Sequence, residues 1–127
     1  SKADALRRLG TVAWQQGQLE RGLDYCRASH QLAATLIDYN VIASCLGVCA
    51  GIAAKSGQPA RAARLAGASA ALWMKQNRKP WEDSSLDTLL PGWHDGPDAA
   101  ALTAAFEAGI AMRADEAMAY ALGNAEA

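Results

Sequence analysis

Three cysteines and a histidine stand at spacings that metal chemistry uses. Cys26 and His30 are spaced i, i+4, and so are Cys45 and Cys49. On helices each pair shares a face, and two such helices side by side would offer three thiolates and an imidazole to zinc. The competing reading is structural. Cys26 and Cys49 fall where the apolar periodicity puts core side chains, and a buried free cysteine behaves as a small hydrophobe. That reading is preferred, so no metal ligand and no cofactor is expected. A Cys45 to Cys49 disulfide fits poorly, because Cβ vectors one helical turn apart diverge. Reduced thiols suit a cytoplasmic setting.

Acid and base groups are sparse. The candidates are His30, the His94-Asp95 dipeptide between Gly92 and Gly96, and the stretch Trp81-Glu82-Asp83. Catalysis needs an acid, a base or a nucleophile held together, and a loop flanked by glycines positions such groups badly. No catalytic residue is therefore assigned and the chain is read as a non-enzyme. No Gly-x-x-x-x-Gly-Lys-Ser/Thr loop occurs to cradle phosphate, and no basic recognition helix stands out. With a net charge of −1 and mixed signs along the chain, direct contact with nucleic acid is not expected.

Binding is the better lead. The chain has 4 Trp but 1 Phe, and tryptophan is favoured where a partner is gripped. Trp14 and Trp73 sit in helical patterns and read as core. Trp81 and Trp93 lie in a connector, where they either pack that connector down or line a groove. Arg61 with Arg64, and Arg7 with Arg8, have the chemistry to hold a carboxylate, against the plainer reading of solvated helix faces. The candidate contacts are Trp81, Trp93, Arg61 and Arg64.

The elements that must carry these residues are helices. Alanine is the commonest residue and β-branched residues gather only around Thr35, Ile37, Val41 and Ile42, a composition for closely packed helices. Residues 6–36 are echoed in residues 46–76: Leu6 falls on Leu46, Ala13 on Ala53, Gly17 on Gly57, Gln18 on Gln58, Arg21 on Arg61 and Leu32 on Leu72. A period of about 40 residues marks a helical repeat. Apolar spacing predicts helices over 3–16, from 19 to near 38, over 39–55 and over 59–76. Gly17 and Gly57 serve as left-handed caps, and Pro59 stands in a first turn.

The register is lost after Asn77. A start signal at Ser84 or Ser85 predicts a short helix through Leu86, Leu89 and Leu90. Pro91, Gly92, Gly96 and Pro97 break it. Asp98 then caps a helix to about Ala108, residues 109–113 form a turn, and a last helix covers 114–122 with Asp115 and Glu116 in its first turn. One domain results: two hairpins over 1–77, a connector over 78–97 and capping helices over 98–127. Residues 39–54 carry no charge but are fewer than the roughly 20 apolar residues of a membrane span, so no membrane contact is expected. With a helical pattern running almost from Ser1, the chain reads as a piece of something longer.

Three segments resemble a known family. They are Leu9-Gly10-x-x-Ala13-x-x-x-Gly17-x-x-x-Arg21, its echo Ala50-x-x-Ala53-x-x-x-Gly57-Gln58-Pro59-Ala60-Arg61, and the tail Phe106-Glu107-Ala108-Gly109 with Asp115-Glu116-Ala117-x-Ala119-Tyr120. Together they look like the tetratricopeptide-like repeats at the C-terminal end of large bacterial LuxR-type ATPase regulators. The chain departs from that pattern at Ile110 and Arg113. The resemblance implies an all-α, right-handed solenoid of helical hairpins with a C-terminal helical cap. It further implies a non-catalytic, cytoplasmic interaction or sensing module that relays binding to DNA-binding and ATPase parts elsewhere. The expected partner is a protein or a second copy of the chain. The alternatives are a stand-alone adaptor and a small-molecule sensor with a pocket near the Trp connector.

Overall fold

The computed structural model describes residues 2–36, 39–80 and 82–123. They form seven α-helices, with no strand among the described residues: α1 (Lys2–Gln15), α2 (Leu19–Leu36), α3 (Tyr39–Lys55), α4 (Pro59–Lys75), α5 (Leu86–Leu89), α6 (Ala99–Ile110) and α7 (Ala114–Ala121). None of them is long and apolar enough to cross a membrane.

Two of the connections are set by glycine. Gly17 and Gly57 adopt φ of +82° and +76°, a left-handed conformation that other residues resist. Each turns the chain so that α1 pairs with α2 and α3 with α4. The pairs touch where side chains are small. A Cβ on Gly10 would lie 3.1 Å from the Gly22 carbonyl oxygen and 3.2 Å from the Tyr25 Cβ.

Helix α3 is the axis of the core. Every residue from Val41 to Gly51 is buried, because α3 has α1 and α2 on one side, α4 on another, and α7 and the connector over the rest. A helix apolar on all sides suits this position. Two buried hydroxyls are satisfied by its backbone carbonyls: Ser44 donates to the Asn40 carbonyl at 2.8 Å, and Ser69 on α4 donates to the Ala43 carbonyl at 2.7 Å.

A close backbone approach joins α4 to α6. A Cβ on Gly67 would collide with the backbone of Phe106, whose carbonyl carbon would be 2.9 Å away. One on Gly109 would collide with Arg64, 2.8 Å from its carbonyl carbon, and with the Ala68 nitrogen at 2.9 Å. This contact corrects the expected turn over 109–113. Gly109 lies inside α6, which continues to Ile110, because the glycine is there to bring two backbones together rather than to end a helix. A second correction concerns Asp98, which occupies the cap position of α6 without a side-chain capping bond. Ser85 does cap α5, accepting from the Thr88 amide at 3.3 Å.

The glycine contact makes a specific prediction. Gly67→Ala and Gly109→Ala each force α4 and α6 apart and lower stability by about 2–4 kcal/mol in urea denaturation, as overpacking against unyielding backbone does. Gly96→Ala, where the nearest non-neighbouring atom would be 3.7 Å from the new Cβ, changes stability by a few tenths of a kcal/mol at most. Equal effects at all three positions would show that the α4–α6 approach is not a close backbone contact.

Candidate functional site

The connector from α4 to α6 does not lie flat. Ser84 is buried against α3, where Gly47 makes room for it: a Cβ there would be 3.1 Å from the Ser84 hydroxyl. Leu86 on α5 is buried in the core cluster. Those two anchors pin the middle of the connector to the core, and a cleft of about 600 Å³ opens between the connector, α4 and α6. Ala66, Ala70 and Met74 of α4 form one wall, and Thr103 and Phe106 of α6 another. The connector closes the remainder with Lys79, Pro80, Glu82, Leu86, Asp87, Trp93 and His94. The cleft exists because two alanines on α4 do not fill the space that longer side chains would take.

One rim is organised around a carboxylate. The Trp93 Nε1–H donates to Asp87 Oδ1 at 2.9 Å, and His94 Nε2 lies 3.4 Å from the same oxygen. The two rings lie beside each other with centroids 3.8 Å apart and planes tilted by 31°. Both partners of Asp87 therefore meet one oxygen and present an aromatic edge to the cleft. This arrangement differs from the dipeptide seen in the sequence: the imidazole turns to Asp87, on α5, rather than pairing with its neighbour Asp95. The hydroxyls of Ser84 and Ser85 share this lining. The Ser85 hydroxyl is engaged with Thr88 at 3.1 Å.

Of the four candidate contacts, Trp93 lines the cleft. Trp81 lies outside the described residues. Arg61 and Arg64 lie elsewhere and face α7. Arg61 donates to the carbonyl oxygens of Tyr120 at 2.8 Å and Ala121 at 3.0 Å, satisfying acceptors that a helix C-terminus leaves open. Its guanidinium stacks 4.6 Å from the Tyr120 ring centre, with that of Arg64 at 5.2 Å. Arg21, which a shift of 40 residues sets on Arg61, instead donates locally, to Gln18 just before α2 and to the Tyr25 hydroxyl within it. Trp73 is buried, with the Arg78 guanidinium 5.7 Å from its ring. The side chains of Trp14 and His30 lie outside the described residues.

The three cysteines meet in the core between α2 and α3. The Cys26 thiol contacts the Cys45 carbonyl at 4.0 Å, and the Cys45 thiol the Cys26 carbonyl at 3.9 Å. All three are unbridged and buried. Hydrogen bonding with the Cys45 and Cys49 thiols, and then burial, pushes the Cys26 thiol far above its ordinary value. A thiol so held is protonated and inert as a nucleophile. Among the described residues, no group of three or more His, Cys, Asp or Glu is arranged to hold a metal ion.

Sequence reasoning missed Asp87, Met74 and Phe106. Asp87 and Trp93 come together only because Gly92, at φ +79°, folds the chain back after α5, and no local pattern announces that return.

Two outcomes follow from this geometry. Arg61→Ala lowers stability by about 1–2 kcal/mol and speeds amide exchange in α7, since the Tyr120 and Ala121 carbonyls each lose the charged donor Arg61 supplies; unchanged exchange in α7 would show that Arg61 does not hold it. The Cys26 thiol stays protonated in the fold but ionises in the unfolded chain near pH 9.0. Its contribution is therefore complete below that pH and is lost as pH rises above it. Cys26→Ala should flatten the alkaline fall in stability measured between about pH 8 and 10. Set against protein-family models, curated proteins and solved structures, the chain matches none.

Proposed function

We propose that this chain is a non-catalytic sensing and interaction module whose cleft between α4, the connector and α6 takes a compact, mostly apolar small molecule. The single observation that carries this reading is the cleft itself. Its volume of about 600 Å³ falls in the range of small-molecule sites, which are concave, apolar and furnished with a few polar groups. Trp93, Phe106 and Met74 supply polarizable walls, and Asp87 supplies the polar anchor. In the lining the Ser85 hydroxyl is engaged with Thr88 and the His94 imidazole with Asp87, an arrangement that favours binding over turnover.

The resemblance to bacterial regulators gives the module a setting. In that reading α1–α2 and α3–α4 are tetratricopeptide-like units of a right-handed solenoid, capped by α6 and α7, in a cytoplasmic transcriptional regulator. A ligand wedged between α4 and α6 would press on the helices joined at Gly67 and Gly109 and so change how the cap sits on the repeats. That is a means of relaying occupancy to parts outside this fragment. A protein-binding adaptor is the second reading. It is favoured by Leu9 and Val12, which leave an apolar strip on α1 at 47% and 48% exposure.

The test uses Nile red, a flat neutral dye that brightens in apolar sites. The native chain should bind one equivalent with micromolar affinity. Ala70→Phe, which fills the cleft from α4, should abolish that binding while leaving the urea midpoint unchanged. Unaltered dye binding in the filled variant would sink the small-molecule reading.

A further inference from the structure

We infer that the ligand of this cleft is a flat apolar cation, an aromatic or alicyclic body bearing a protonated amine; the assignment rests on the cleft being a small-molecule site. Three features select that chemistry. The first is charge. Asp87 and Glu82 bring two carboxylates to the lining against the single ammonium of Lys79, so carboxylates outnumber lysine there. An anionic ligand would meet two like charges on entering, whereas a cation is drawn in.

The second feature is geometric. Among the described residues, Trp93 and His94 both meet Asp87 at Oδ1, which leaves Oδ2 to accept from a ligand. A ligand that covers Asp87 takes water from this carboxylate. The loss is offset only if the ligand brings its own donor, and a charged donor most of all. An ammonium or amidinium at that edge meets the requirement, while an ether or a carbonyl does not.

The third feature is the aromatic surface. Trp93 and Phe106 both line the cleft, and ring faces attract cations as well as apolar groups. A cationic head near Asp87 and an apolar body over the alanines of α4 therefore use both halves of the site at once. The Trp93 hydrogen bond to Asp87 further fixes the indole in place, so little of the binding free energy goes into ordering it.

A charge series of fluorescent probes tests the assignment. Proflavine, a flat cation at neutral pH, is compared with anilinonaphthalene sulfonate, an anion, and with neutral Nile red, each titrated into the native chain at low ionic strength. Proflavine should bind at least about tenfold more tightly than the sulfonate, as one favourable charge contact implies. Asp87→Asn, which keeps an oxygen for the Trp93 donor, should weaken proflavine by about tenfold and leave Nile red unchanged. Equal or tighter binding of the sulfonate, or proflavine indifferent to Asp87→Asn, overturns the cation assignment while Nile red still reports an open cleft. Failure of all three probes overturns both the cleft as a ligand site and the assignment built on it.

Discussion

The meeting of α4 and α6 at Gly67 and Gly109 is the constraint on which the C-terminal half depends. Two helices whose backbones come this close must lack Cβ atoms at the crossing, and each glycine costs helix stability of roughly 1 kcal/mol relative to alanine. The contact offsets that cost by bringing long stretches of both helices into van der Waals range. It also fixes where Phe106 and Thr103 stand. With α6 seated so tightly at one end, its earlier turns and the connector enclose space above Ala66 and Ala70 rather than collapsing onto them. The tight crossing and the open cleft are two results of one use of small side chains.

Much of the helical framework was legible because its signals are local. Gly17 and Gly57 end helices by their own backbone preference, Pro59 suits a first turn, and the uncharged run ending near Ala54 announces the central helix. Ser85 reads as a cap from its own neighbourhood. What could not be read depends on residues distant in sequence. Gly109 looks like a helix stop until Arg64 is seen beneath it. Asp98 has the side chain of a capping residue, yet it makes no such bond.

The site shows the same division. Trp93 stood out by residue type, since tryptophan is rare and the connector offered few other anchors. Asp87 did not, because an aspartate early in a short helix is unremarkable until the chain doubles back and sets an indole and an imidazole against it. Arg61 carried a signal that was read by chemistry alone. Its guanidinium does hold backbone oxygens, but they belong to α7 of the same chain, and nothing in the spacing of Arg61 and Tyr120 reveals this.

The end of α7 is held from two directions. Arg61 reaches it from α4, while Arg27 on α2 donates to the Leu122 carbonyl at 3.4 Å across 95 residues of chain. Such long-range contacts form late in folding, because closing the intervening loop costs entropy that local hairpins do not incur. Helix α7 thus acts as a latch. The first and second helix pairs already pack on each other through α3, and α7 adds a tie from α3 and α4 back to Arg27 of α2, so the chain is built to melt in one cooperative step rather than peel apart pair by pair.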